Sequence, residues 1–205
     1  TWEDDGSEAD PTTSFSVERG YFSIKPKFTD KISGRFTLDI FSSDKDTNGA
    51  GLKMKYAYLD FTDLIEDTNT VLSVGLTKHY FGTIYSWKYE TIEKDPADKW
   101  GFASSTDYGL VLSGIINPAK LTYNLGIYNG EGYKKSGSKV NNEYSYLANL
   151  RIKPLDEVEL GASYSLNSKN NSQDASGTDN PDYEKINAYA GMAMFHKSSF
   201  TLSGQ

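Results

Sequence analysis

Apolar and polar side chains alternate with a period of two along the chain, and the alternation recurs about ten times with turn residues between the repeats. In one such segment the apolar residues are Phe36, Leu38 and Ile40, and the polar residues are Arg35, Thr37 and Asp39. Side chains that alternate in this way lie on opposite faces of a β-strand. The sequence therefore predicts an all-β chain whose strands each have one apolar and one polar face.

The faces of the third and ninth strands follow from the same parity. The third strand is predicted to have an apolar face of Leu52, Met54, Tyr56 and Tyr58, opposite Lys53, Lys55 and Ala57. A bulge is expected near Asp60 and Phe61, where the alternation fails. The ninth strand is predicted to have an apolar face of Ile186, Ala188, Ala190, Met192 and Met194, and a tenth strand begins at Phe200.

The connections between the predicted strands alternate in length. The short ones are 29–33, 62–69, 116–120, 153–157 and 196–199, and the long ones are 42–51, 78–106, 129–143 and 167–184. Outer-membrane barrels have short periplasmic turns and longer extracellular loops. The pattern favours an antiparallel transmembrane β-barrel, and a soluble barrel or sandwich with its apolar faces turned inward remains the alternative.

Charge and composition limit the other classes. The net charge of −7 and the excess of acidic residues argue against a nucleic-acid partner. Cysteine is absent, which excludes a disulfide scaffold and thiolate chemistry. Residues 1–14 are predicted to be an acidic N-terminal tail, and residues 15–205 a single outer-membrane β-barrel domain. Because about ten strands are present and the last one is cut short, this domain is expected to be incomplete at its C-terminus.

Basic residues outnumber acidic ones on the polar faces of the predicted strands. The seven basic residues are Arg19, Lys25, Lys27, Arg35, Lys53, Lys55 and Arg151, against Asp39, Asp107 and Glu159. If these faces line a pore, the basic residues would concentrate anions in it. The alternative is that lysines near strand ends only reach solvent or lipid headgroups.

The connection 78–106 is too long for an ordinary turn and is rich in aromatic residues. It is predicted to be either a constriction loop folded into the barrel or an external lid. The candidate residues are His79, Tyr80, Tyr85, Trp87, Tyr89 and Trp100. Their rings either line the passage and stack on solutes such as sugars or, as is more common, pack into a small core of the loop itself.

Catalytic and metal-binding patterns are missing from the sequence. The residues of 44–49 resemble the first half of an EF-hand loop, but Lys55 stands where the bidentate glutamate is required. His79 and His196 are far apart and have no acidic partner at ligand spacing. Neither a nucleophile elbow nor a phosphate-binding glycine loop occurs. The sequence predicts no enzyme, no metal site and no cofactor.

Six segments occur in the order typical of one family of porins. They read VERGYFSIKPKF, SGRFTLDIF, LKMKYAYLDF, LSVGLTKHYFG, STDYGLVLSG and YNLGIYNGEGY, between residues 17 and 133. In this order the chain resembles the phosphate-selective porin (porin O and P) family. The resemblance implies a 16-stranded barrel in the outer membrane of a Gram-negative bacterium, usually a homotrimer, whose third loop folds into the pore.

The expected function is passive diffusion of small hydrophilic solutes, with a preference for anions. The partners would be outer-membrane lipid, the solutes themselves and the other subunits of a homotrimer. Two alternatives remain at this stage: a non-transporting surface or structural barrel such as an adhesin, and a soluble β-protein that binds an apolar ligand.

Overall fold

The structure is a computed structural model that describes residues 19–43, 49–65, 69–86, 94–117, 120–135, 141–173, 177–197 and, for the backbone alone, 200–204. The predicted acidic tail, Trp87, Tyr89 and most of the EF-hand-like segment lie outside these residues. The strands are β1 (Arg19–Ile24), β2 (Ile32–Ser42), β3 (Ala50–Thr62), β4 (Val71–Lys78), β5 (Thr106–Ile116), β6 (Leu121–Tyr128), β7 (Ser145–Leu155), β8 (Val158–Lys169), β9 (Glu184–Lys197) and β10 (Phe200–Gly204). One short helix, α1 (Pro96–Lys99), precedes β5.

The ten strands form one sheet in sequence order, and each strand is antiparallel to the next. The prediction of an all-β, antiparallel chain is therefore confirmed. Within the described residues the sheet is open, because β1 pairs only with β2 and β10 pairs only with β9.

Helix α1 is one turn long and lies inside the connection between β4 and β5. Asp95 caps it by accepting a hydrogen bond of 2.8 Å from the backbone N–H of Ala97, and proline occupies the first helical position. None of the helices in the described parts of the chain has the length and apolarity needed to cross a membrane.

The two faces of the sheet differ in burial, and the polar face is the buried one. In β2, Thr37 and Asp39 are each 1% exposed, whereas Phe36 and Ile40 are 43% and 40% exposed. In β6, Asn124 is buried, whereas Leu125 and Ile127 are exposed. We call the face that carries Thr37, Asp39 and Asn124 the covered face, and the opposite face the exposed face.

The third strand shows where the predicted parity was wrong. Tyr56 pairs with Thr37, but Met54 pairs with the next residue of β2, so Lys55 is an extra residue in β3. This bulge turns both Lys55 and Tyr56 to the covered face, where the guanidinium of Arg35 lies 4.0 Å from the centre of the Tyr56 ring. Tyr56 and Tyr58 thus belong to the polar face and not to the apolar one, because the bulge precedes them instead of following at Asp60.

The apolar face predicted for the ninth strand is also turned the other way. Ala190 pairs with Ser163 and Ala188 pairs with Ser165, and both serines are buried on the covered face. The exposed face of β9 instead carries Tyr189, which is 76% exposed. The small side chains of β9 leave room on the covered face for a segment that packs there.

A small apolar core lies on the covered face, between the sheet and the β4–β5 connection. Its buried members are Phe81, Ala97, Val111, Tyr128 and Leu147, and Ala188 and Ala190 pack against it. Two of these residues belong to the connection and three to strands β5, β6 and β7. This core fixes the connection against the sheet.

The lengths of the connections alternate as predicted, with one difference. At one end of the sheet they are 25–31, 63–70, 117–120, 156–157 and 198–199, and at the other 43–49, 79–105, 129–144 and 170–183. The connection 43–49, expected to be long, is no longer than 63–70. The long connections therefore gather at the end where β5, β7 and β9 begin.

Candidate functional site

We call residues 79–105 the constriction segment, after the role that the sequence predicts for this connection. Its described parts, 79–86 and 94–105, lie on the covered face between β4 and β5. Phe81 is 3% exposed and Ile84 7% exposed. The described residues of the segment pack against the covered face of the sheet, and the choice between a constriction loop and an external lid stays a prediction. Only some of the predicted aromatic residues pack into a core, because Trp100 is 71% exposed.

A chain of hydrogen bonds connects the segment to the sheet. The backbone N–H of Gly82 donates to Ser163 Oγ at 3.0 Å, and Asn149 Nδ2 donates to the same oxygen at 2.7 Å. Asn149 Oδ1 accepts from Arg151 Nε at 3.0 Å. Arg151 Nη1 in turn donates to the hydroxyl of Tyr85 at 2.7 Å, which leads back to the segment. These contacts enclose a ring between the segment and strands β7 and β8.

Arg151 is the centre of this arrangement. Its Nη2 donates to Asn124 Oδ1 at 3.0 Å, and its Nη1 also lies 3.4 Å from Glu159 Oε1. Lys153 Nζ lies 3.4 Å from the other oxygen of Glu159. The side chains of Arg151 and Glu159 are only 14% and 10% exposed. We call Gly82, Tyr85, Asn124, Asn149, Arg151, Glu159 and Ser163 the Arg151 network.

Burial raises the pKa of the Tyr85 hydroxyl, against the opposing effect of the nearby Arg151 guanidinium. The hydroxyl is therefore protonated at neutral pH. It accepts a hydrogen bond from Arg151 and points its own proton toward Glu159 Oε1, 3.5 Å away. Tyr85 also stacks on Tyr80, with ring centres 5.4 Å apart. Tyr85 thus connects the constriction segment to both Arg151 and Glu159.

Within the segment, its two described halves are joined to each other. Thr83 Oγ1 donates to Asp95 Oδ2 at 2.7 Å, and both side chains are buried. At the base of the segment, the N–H of His79 donates to the carbonyl of Ser105 at 3.2 Å, and the imidazole lies 4.7 Å from the Tyr128 ring. Burial lowers the pKa of His79 to about 4, so the imidazole is neutral near pH 7.

Three of the predicted basic residues lie near the long-connection end of β1 and β3. Arg19 Nε lies 3.3 Å from Asp39 Oδ1. Lys53 Nζ lies 3.6 Å from the centre of the Phe41 ring. Lys55 is buried, donates to Ser105 Oγ, and lies 4.4 Å from the centre of the Tyr133 ring. Each of the three cations thus has a partner supplied by the protein.

Lys25, Lys27 and Arg35 lie toward the opposite end of β1 and β2, where the connections are short. The basic recess is a cavity of about 440 Å³ whose charged lining consists of Lys25, Lys27, Lys31, Arg35, Lys78, Asp30 and Asp60. Five cations therefore face two carboxylates. Such an excess of positive charge attracts anions.

Most cations of the recess are not ion-paired. Lys27 pairs with Asp30 at 2.8 Å, on a fully solvated turn. Arg35 Nε donates to Thr37 Oγ1 at 3.1 Å, and its guanidinium lies over Tyr56. Among the described residues, no carboxylate forms an ion pair with Lys25, Arg35 or Lys78. Asp60 lines the same cavity but forms an ion pair with none of the three.

Sequence patterns identified part of this site. Arg151 and Tyr85 were both candidates, but their contact joins positions 66 residues apart and no local pattern indicates it. Lys31 and Lys78 were missed as site residues because one lies in a turn and the other at a strand end. The lysines clustered around the first short turn were the feature of the sequence that could have indicated the basic recess. Within the described residues, no group of three or more metal-ligating side chains occurs.

The chain was also compared with known proteins. No family model matches it, and neither the curated proteins nor the solved structures contain a match. The resemblance to the porin O and P family therefore remains an expectation from the sequence. What the chain does must be inferred from the burial of its two faces, the position of the constriction segment and the charges of the covered face.

Proposed function

We propose that the chain forms part of the wall of a bacterial outer-membrane porin, with small hydrophilic solutes diffusing along the covered face. The inverted burial of the sheet carries this proposal. A sheet in water buries its apolar face and exposes its polar one. Here Asn149 is 0% exposed, and Leu110 and Leu125 are each 45% exposed. Lipid acyl chains outside and a hydrated interior match this distribution.

The exposed face has the dimensions that this environment requires. Strands β2, β5 and β7 each contain 11 residues, and a tilted strand crosses the hydrocarbon core with about 9–11 residues. Tyr146, Tyr164 and Tyr189 lie on the exposed face near the long connections, with the rings of Tyr164 and Tyr189 5.1 Å apart. Such tyrosines are typical of the aromatic girdle at a membrane surface.

A sheet in lipid cannot have open edges, because unpaired backbone groups are costly where no water is present. We therefore propose that β1 and β10 pair with further strands to close the barrel. Sixteen strands and a homotrimer are the numbers that the resemblance to the porin O and P family implies. In such a barrel the constriction segment narrows the passage, since it lies inside the wall.

The basic recess supports a preference for anions. Lys25, Arg35 and Lys78 face its cavity with no ion pair to a described carboxylate. Charged residues at the wall of a channel set which ions enter it. Because the recess lies at the short-connection end, it would act on solutes at the periplasmic mouth.

Single-channel recording tests this proposal. The full-length protein that contains this chain, purified in detergent and shown by heat-modifiable migration to be folded, is inserted in a planar bilayer under a salt gradient. We expect steady conductance steps and a reversal potential of the sign that anion selectivity gives.

Three other outcomes would contradict the anion selectivity, the conductance or the membrane location that we propose. Cation-selective steps would retain the pore and overturn the role of the basic recess. Folded protein in the bilayer without conductance would indicate a closed structural or adhesive barrel. Protein that is folded and soluble without detergent would exclude the membrane altogether.

A further inference from the structure

We infer that Arg151 is a positioning residue that holds the constriction segment against the wall, and that it does not bind passing anions. The segment touches the sheet through an apolar core and through the ring of hydrogen bonds at Gly82 and Tyr85. The apolar core sets how closely the segment lies against the sheet. It does not fix the lateral position of the segment, since apolar contacts are not directional. The hydrogen bonds set its lateral position.

Four of the five N–H groups of Arg151 are already in use. Its three nitrogens donate to Asn149, Tyr85 and Asn124, and Nη1 also donates to Glu159. The remaining N–H, on Nη2, belongs to a side chain that is only 14% exposed. An anion that takes two donors from this guanidinium would have to displace one of these partners, such as Glu159, which is itself buried and held by Lys153.

Shape as well as charge matters at this position. The acceptors of Arg151 come from β6, β7, β8 and the constriction segment. A planar guanidinium directs its N–H groups to several acceptors at fixed angles, whereas a lysine ammonium is a single point charge. Lysine at position 151 would preserve the net charge of the pore but would not hold Tyr85 and Asn149 together.

Polar contacts also extend from the network along the sheet. Asn124, which accepts from Arg151, donates through Nδ2 to Ser113 Oγ at 2.8 Å. Ser163, which accepts from Gly82, also accepts from Asn149. A change at Arg151 therefore reaches both Gly82 and Tyr85, the two residues of the segment that belong to this ring.

Thiol labelling measures the position of the segment directly. The chain has no cysteine, so Ile84→Cys introduces a single thiol at a buried position of the segment. In the background with Arg151 intact, we expect a water-soluble thiol reagent to label this cysteine slowly. With Arg151→Gln added, the rate should rise about tenfold or more, since losing a charged hydrogen bond shifts a local opening equilibrium by about that factor.

Three further variants separate positioning from charge. Arg151→Lys should label almost as fast as Arg151→Gln, because the charge is retained and the directed donors are lost. Tyr85→Phe removes one oxygen and should raise the rate about threefold, since the other contacts of Arg151 remain. Lys153→Gln is the matched control, because it removes a cation of the same strand, beside the same carboxylate, that has no contact with the described residues of the segment. It should leave the rate unchanged.

Labelling rates that stay at the starting value in both Arg151→Gln and Tyr85→Phe would overturn the inference. So would a rise of equal size in Lys153→Gln, because the cause would then be charge alone. If Arg151→Gln fails to fold, Tyr85→Phe decides the matter, since it changes only one atom.

The consequence for transport rests on the proposed porin function, whereas the labelling result does not. In a bilayer, Arg151→Gln should change the conductance of single channels and leave the reversal potential as it was, because Lys153 remains as the counter-charge of Glu159. A shift of the reversal potential toward cations in Arg151→Gln would show that Arg151 attracts anions, and would overturn the inference. Protein that does not conduct but labels as expected would contradict the porin proposal alone.

Discussion

The Arg151 network and the basic recess are both built from cations on the covered face, but they treat those cations differently. Arg151 donates to three polar side chains and faces a carboxylate. In the recess, Arg35 has a hydroxyl and an aromatic ring as partners, and Lys25 and Lys78 have no ion pair with a described carboxylate. The network is buried beneath the constriction segment, and the recess is open to solvent at the short-connection end.

This difference shows that the sign of a residue's charge does not by itself define the role of that residue on a pore wall. A cation whose acceptors come from the protein contributes to position, because its field is compensated nearby and its donors are occupied. A cation whose neighbours leave it uncompensated contributes to the field that a solute meets. Counting seven basic residues against three acidic ones does not separate these two roles.

Neutralising the recess should produce the largest functional change. Lys25→Gln, Arg35→Gln and Lys78→Gln together leave Lys27 and Lys31 against Asp30 and Asp60. With two charges of each sign, we expect the anion preference to be lost and the reversal potential to move close to zero. The measurement is the reversal potential of single channels under a salt gradient.

Lys120→Gln is the control for this triple variant. Lys120 lies at the same end of the sheet, outside the recess, and pairs with Asp156 at 3.1 Å. Its loss should leave the reversal potential unchanged. A triple variant that retains full anion preference would show that other charges of the pore set selectivity.

Removing the carboxylate of the Arg151 network should destabilise the fold, because it takes the counter-charge away from Arg151. Glu159→Gln leaves the guanidinium of Arg151 largely buried without a counter-charge, and breaking a buried pair in this way costs about 3 kcal/mol of folding free energy or more. The remaining exposure of 14% for Arg151 sets the expectation at the lower end of that range. Denaturant unfolding in detergent micelles measures the loss.

Glu159→Gln should also produce a small change in ion selectivity. Arg151 then resembles the cations of the recess, so the reversal potential should move further toward anions. Glu157→Gln, an exposed turn residue two positions away, serves as the control for net charge. Equal shifts in both variants would mean that distance to the pore, and not compensation within the network, governs the effect.

Much of the fold could be predicted from the sequence because a period of two is a local property. The strands, their order and the polar and apolar faces of β2, β6 and β8 follow from it. The bulge at Lys55 could not be predicted, because it depends on how β3 registers with β2. The orientation of β9 was missed for a related reason, since its alanines pack against a core that comes from another part of the chain.

The site was predictable only as a set of residue types. Basic residues on polar faces and aromatic residues in a long connection identified Arg151 and Tyr85 separately. Their contact, and the role of Ser163 as acceptor for Gly82, depend on the path of the segment across four strands. Local patterns contain no information about such a path, so they could not distinguish a positioning arginine from an anion-attracting one.

Acid should loosen the segment while the lysines and the arginine of the recess keep their charge. The folded-state pKa of His79 is about 4, below its ordinary value of 6.5, because burial disfavours the charged imidazole. Between these values the unfolded chain binds a proton that the folded chain does not, so the stabilising contribution is complete above pH 6.5 and is lost as pH falls toward 4. At pH 5 the loss relative to His79→Gln should be about 2 kcal/mol.

Denaturant unfolding of both proteins from pH 8 to pH 4.5 measures this difference. Carboxylates titrate in both proteins, so subtracting one curve from the other isolates His79. Parallel curves would mean that the imidazole is charged or solvated in the folded state. Since lysine and arginine keep their charge over this range, His79→Gln should make the free energy of unfolding less dependent on pH without moving the reversal potential. Acid then acts through the base of the constriction segment, and the recess provides the internal reference against which that effect is measured.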